Sequence, residues 1–128
     1  MACRAALAGV AAWLAPSAFS QPAGDAVMLD FARRELEAGR ATLIDVRKPP
    51  EHATGIARGA QLLPMRQFAS RLHEISRDPS RPALLICHTQ NRSSATLRLL
   101  REKGHANVRF VQGGMCEWSK RGWPVVKP

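Results

Sequence analysis

The chain has no tyrosine, and only four phenylalanines and three tryptophans among its 128 residues. So few flat side chains leave little for nucleobases to stack on. Acidic residues are also scarce, ten against nineteen lysines and arginines, for a formal net charge of +9. The basic residues do not cluster beyond pairs such as Arg33-Arg34 and Lys120-Arg121. A scattered excess of this kind reads as a solvated basic surface that attracts small anions, and not as a nucleic-acid face. No apolar run reaches the roughly 20 residues needed to span a bilayer. The longest, Ala5–Ala15, is broken by Pro16. Repeats and low-complexity tracts are absent from the rest of the chain.

What the first twenty residues do contain is the pattern of a secretory signal. Arg4 gives a positive start, the apolar run follows, and Ala18-Phe19-Ser20 places small residues where a signal peptidase reads. The expected organisation is a signal peptide over 1–20 and one domain over 21–128, beginning at or near Gln21 and exported, in the periplasm. After cleavage no membrane association is expected. Loss of Arg4 lowers the net charge from +9 to +8 on the remaining 108 residues. Cys3 precedes the apolar run, so it cannot be a lipid-attachment cysteine. Two cysteines remain, Cys87 and Cys116. An even count in an exported chain points to a disulfide, whereas a nucleophilic thiol there must be kept reduced or modified. The spacing leaves both open.

The body of the chain alternates short apolar strands with amphipathic helices. Strands are expected at "AVML", "ATLIDV", "AQLLP", "PALLIC" and "NVRFV". Helices are expected at "DFARRELEAG", capped by Asp30 and stopped by Gly39, at "MRQFASRLHEIS", at "SSATLRLLREKG" and at "GGMCEWSKRG", with a short helical piece at "EHATG". This alternation argues for an α/β fold around a parallel sheet with right-handed crossovers. Ligands in such sheets bind beyond the carboxyl ends of the strands. Cys87, Asp45 and the Gly113-Gly114 turn all fall at such ends.

The loop "CHTQNRS", residues 87–93, holds the densest chemistry. A thiolate is the reactive form of cysteine, and a helix N-terminus and a neighbouring arginine both favour it. Cys87 has a helix beginning near Ser93, with Ser93 or Ser94 as cap, and Arg92 in the same loop. If the loop curls around the sulfur, the backbone N–H groups of residues 88–93 form an anion-binding nest. The residues alone reach a cysteine nucleophile in an anion cradle, and leave sulfur, phosphorus and arsenic anions open.

Three motifs in this chain, taken together, resemble those of the single-domain rhodaneses. They are "LIDVRKPPEHATGIARGAQLLP" (43–64), "CHTQNRS" (87–93) and "GGMCEWSKRGWPV" (113–125), which lie in family order and at family spacing across residues 26–126. The resemblance implies a rhodanese-like fold, a five-stranded parallel sheet with helices on both faces. It also implies sulfur transfer. Cys87 would take the outer sulfur of an anionic donor such as thiosulfate as a persulfide and pass it to cyanide or a thiol. Arg92 would hold the donor, and the loop residues His88, Thr89, Gln90, Asn91 and Ser93 would cradle the persulfide. Asp45 and Arg47 would brace the loop from the neighbouring strand end. No metal or cofactor is expected, since His52, His73 and His105 lack partners at ligand spacing and read as surface residues. Trp118 and Trp123 read as packing, and Cys116 as a small buried hydrophobe.

Two departures from the family pattern bear on substrate preference. Gln90 stands at a loop position that is often glycine, which costs energy if that position needs a positive φ, or else adds a polar contact. Ile56, Ala57 and Arg58 stand where His, Ile and Pro are common. The rival readings are a cysteine phosphatase or arsenate reductase on the same fold, and a non-catalytic sulfur-carrier or redox module. The first uses a loop one residue longer than the four residues between Cys87 and Arg92. The second usually lacks the cysteine.

Overall fold

A computed structural model describes residues 24–128; the expected signal peptide lies outside them. Five strands form one parallel sheet: β1 (Ala26–Val27), β2 (Thr42–Asp45), β4 (Gln61–Leu62), β5 (Ala83–Ile86) and β6 (Val108–Val111), in the order β1-β6-β5-β2-β4. The α/β class and the five-stranded parallel sheet are as expected. β5 lies at the centre and all four of its residues are buried. It pairs with β2 on one side (Leu84 opposite Leu43) and with β6 on the other (Leu84 opposite Arg109).

The pleat sends alternate residues into two cores. On one face Leu43, Leu84, Ile86 and Val111 pack with Leu29 and Ala32 of α1 (Leu29–Glu37) and Met115 and Trp118 of α5 (Gly114–Lys120). On the other, Ile44, Leu85 and Val108 pack with Phe68 of α3 (Phe68–Arg71) and with Leu97 and Leu100 of α4 (Asn91–Glu102). Trp118 and the half-buried Trp123 meet edge to face at 5.1 Å, the packing role read from the sequence.

Several local expectations need correction. Asp30 does not cap α1. Met28 takes the cap position, and Asp30 sits exposed in the first turn, paired with Arg121 at 2.7 Å. The segment 65–76 is not one helix. It runs as a 3-10 turn, the single turn α3 and a second 3-10 turn, while Arg71 ties down Glu74 (2.7 and 2.8 Å), Gln67 (2.7 Å) and the Leu62 carbonyl (3.3 Å). A pairing absent from the sequence reading joins β3 (Ile56–Ala57) to β7 (Val125–Val126) as a small antiparallel ribbon. His52 and His105 are not surface residues, being 4% and 1% exposed.

Candidate active site

The loop after β5 carries Cys87 at the carboxyl end of the central strand, where the sulfur is almost wholly covered (1% exposed). The helix α4 begins at Asn91, two residues earlier than expected, with Gln90 at the cap position and no side-chain cap. Ser93 is therefore inside the helix, and its groups turn to the cysteine. Its backbone N–H donates to Cys87 Sγ at 3.4 Å, and the Cys87 thiol donates to Ser93 Oγ, also at 3.4 Å. Ser93 Oγ donates onward to the Gln90 carbonyl at 3.3 Å. A helix-start amide thus points at the sulfur, which favours negative charge there.

The outer side of the same loop is held by α5. Met115 N–H donates to the Cys87 carbonyl and Cys116 N–H to the His88 carbonyl, both at 2.8 Å. A Cβ on Gly114 would collide with the carbonyl oxygens of Cys87, His88 and Thr89. Gly114 also has φ +57, so both space and backbone demand glycine. In a trans peptide the carbonyl and the next N–H point in opposite directions. With three carbonyls turned toward α5, the N–H groups of His88, Thr89 and Gln90 face away from it.

Gln90 has φ −154, and no non-glycine residue among those described has a positive φ. The cost of a positive φ therefore does not arise at the departed glycine position. The side chain instead accepts a hydrogen bond from Gly113 N–H at 3.1 Å, joining the loop to the turn before α5. His88 and Asn91 are exposed, Thr89 is half-buried, and Cys87 and Cys116 are both free thiols, with Cys116 half-buried and not enclosed.

Arg92 does not stand alone. Its guanidinium forms a two-pronged pair with Glu51 of α2 (Pro49–His52), at 2.7 and 2.8 Å. The Arg92 hydrogen bonds hold the Glu51 carboxyl down at about 2, and Glu51 in turn raises Arg92. Glu51 also accepts from Lys48 N–H at 2.9 Å, which fixes the start of α2. Sequence reading did not single out Glu51. Its only signal was membership of the first motif, 41 residues from its partner. Beside Arg92 runs a groove bordered by Lys48, Pro49, Pro64, Met65 and Arg66.

Asp45 and Arg47 form a buried pair. Arg47 Nε and NH2 both reach the carboxylate, at 2.9 and 2.8 Å, and NH2 also donates to the Gly55 carbonyl at 2.8 Å. His52 Nε2 lies 3.3 Å from Asp45 Oδ1, off hydrogen-bond alignment. The pair therefore fastens the β2–β3 connection that carries α2. Among the described residues neither side chain hydrogen-bonds to residues 87–93, so the anchoring expected of them is made to the Gly55 carbonyl and not to the cysteine loop.

Residues 28–121 match the rhodanese-like domain family. The chain belongs to that family. A sulfurtransferase of Allochromatium vinosum is 34% identical over 98 residues, covering 77% of this chain and 90% of its own length. The protein YqhL of Bacillus subtilis is 34% identical over 94 residues, 72% of this chain and 73% of its own. The crystal structure of a rhodanese-related protein from Thermoplasma volcanium superposes with a TM-score of 0.71 at 26% identity, over 80% of this chain and 98% of that one. This rhodanese-like chain accordingly falls in a sulfurtransferase family, and Cys87 with its loop lies inside the matched region.

Proposed function

We propose that the protein is an exported sulfurtransferase that moves the outer sulfur of a small anionic donor, of the thiosulfate class, through Cys87 to cyanide or a thiol. What carries the reading is the sulfur of Cys87 held against the Ser93 amide at the start of α4, with Arg92 beside it. The Cys87 thiolate attacks the outer sulfur of thiosulfate. A Cys–S bond forms, the S–S bond of the donor breaks, and sulfite leaves with the electron pair. Cyanide then attacks the outer persulfide sulfur and departs as thiocyanate, returning the thiolate. A thiol acceptor would depart as a persulfide by the same exchange. No oxidant is consumed. The persulfide anion rests where the Ser93 amide and the helix start favour negative charge.

In the resting geometry Arg92 spends two N–H groups on Glu51, which leaves the others of its five for a donor. Because Glu51 compensates its charge, attraction of the anion also draws on Lys48 and Arg66 along the adjoining groove. His88, Thr89, Gln90 and Asn91 form the rim that the donor passes. Export rests on the signal pattern of residues 1–20.

Mass spectrometry under native conditions tests the chemistry. After thiosulfate the protein should be one sulfur atom heavier, cyanide should strip that sulfur, and Cys87→Ser should abolish the gain while Cys116→Ser leaves it. Sulfur mapping to Cys116 would overturn the mechanism, as would Cys87-dependent turnover of an aryl phosphate exceeding sulfur transfer. N-terminal sequencing of envelope material should begin near Gln21, and an intact Met1 in cytosolic protein would refute export.

A further inference from the structure

At the end of the sheet opposite Cys87, where β5 and β6 begin, a cavity of about 450 Å³ opens beneath α1. Its size falls within the range of about 300–1,000 Å³ found for small-molecule sites. Its apolar floor is Val27, Phe31 and Leu84, walled by Pro79 and Pro82. Arg109 pairs in register with Leu84, so its side chain leaves the sheet on the same face, among the apolar residues under α1. Its NH1 donates to the Val108 carbonyl at 2.9 Å and the Ala106 carbonyl at 3.4 Å, but its Nε is buried with no partner among the described residues. Across the cavity Arg77 donates to the Lys103 carbonyl at 3.2 Å. A third arginine in the lining, Arg40, is held by Glu35 at 2.8 and 2.9 Å. Arg77 and Arg109 have no carboxylate within 4.0 Å among the described residues. Asn107, in the same wall, leaves its Oδ1 buried and unpaired among the described residues.

Two uncompensated guanidiniums over an apolar floor, one with a buried donor unused, make a specific chemical demand. Burying such a donor without an acceptor is costly, and a carboxylate is the acceptor that matches a guanidinium. The positive field there also reaches His105, between the lining residues Gly104 and Ala106. Burial first, then the Arg77 charge, hold its imidazole below the usual range. The geometry points to a second binding site, for a small organic acid: one carboxylate met by Arg109 and Arg77, and an apolar body laid on Val27, Phe31 and Leu84. Inorganic anions lack the body, and neutral apolar molecules lack the charge.

Calorimetric titration of the full chain with 3-phenylpropanoate tests this, with acetate and 3-phenylpropan-1-ol as partial ligands. The acid should bind saturably at one site, and each partial ligand at least about tenfold more weakly, as expected for losing a charge-assisted contact or the apolar burial. Arg109→Gln and Arg77→Gln should each weaken the acid by at least about tenfold. Both should still take up sulfur from thiosulfate at Cys87 as the parent does. Arg77 is exposed in the loop before β5, so its variant decides the matter if Arg109→Gln does not fold. Absence of saturable binding, equal binding of the alcohol, unchanged affinity in Arg77→Gln, or displacement of the acid by thiosulfate would each overturn the site.

Discussion

The two ends of the parallel sheet are built on opposite rules. At the carboxyl end the buried charged groups are paired, Asp45 with Arg47, beside the half-exposed pair of Glu51 with Arg92 and the Cys87 sulfur with Ser93. His52 Nε2 is the one buried polar atom of the site left without a hydrogen bond among the described residues. At the amino end Arg109 Nε, Asn107 Oδ1 and both ring nitrogens of His105 are buried and unpartnered among the described residues. A fold that satisfies most of its buried polar atoms at one end and strands four at the other is not short of partners in general. The carboxyl end uses pairing to fix a geometry in advance, whereas the amino end leaves hydrogen-bonding capacity unspent. Removing a polar group should therefore be costly at the first and cheap at the second.

The largest effect is expected from Asp45→Asn. It leaves the Arg47 charge buried and uncompensated, which costs about 3–5 kcal/mol in comparable buried pairs. Denaturant unfolding measures this, and a loss below about 1 kcal/mol, the size of a surface pair, would break the comparison. Gly114→Ala comes next, at about 2–4 kcal/mol, because a Cβ meets three carbonyls at a positive φ. The same variant should slow persulfide formation at temperatures where it remains folded, which stopped-flow quenching reads. A smaller effect is acid sensitivity. Glu51 is held at about 2 from an ordinary 4.5, so the pair contributes fully above about 4.5 and its contribution is lost as pH falls through about 2. With both side chains about a third exposed, the loss should be about 1 kcal/mol, and Glu51→Gln should flatten melting temperature against pH in that window. The smallest is Arg109→Met. It exchanges the unpartnered Nε for apolar volume and gives up the NH1 bond to the Val108 carbonyl, which Arg101 still meets at 2.9 Å, so stability should change by no more than about 0.5 kcal/mol, or rise. A loss like that of Asp45→Asn would erase the contrast between the ends.

What was legible in the sequence follows the reach of local patterning. The run at 83–86 announces a strand because burial on both faces needs unbroken apolar residues, and 42–45 and 108–111 announce theirs through β-branched and apolar residues around one or two polar ones. The placement of Cys87 at a strand end came with them. The start of α4 was misplaced because Ser93 looks like a cap, and the fold turns it to the sulfur instead. Glu51 was hidden because its partner lies 41 residues away, and a lone carboxylate in a polar turn has many possible partners. His52 and His105 gave no periodic signal, and nothing local tells a buried histidine from an exposed one. The ribbon of Ile56–Ala57 with Val125–Val126 is too short to register as strand on either side. Arg109 was read only as part of a strand, since its meaning depends on register with Leu84.

The tight seat of Gly114 has a consequence for how relatives of this chain should be read. The residue answers to three loop carbonyls and not to the sulfur, so exchanging the cysteine would not release it. A homologue that had lost its nucleophile but kept this glycine would still hold the amides of His88, Thr89 and Gln90 turned away from α5. Such a descendant would be a receptor for anions made from the remains of an enzyme, and the second glycine of the pair would be its mark of origin.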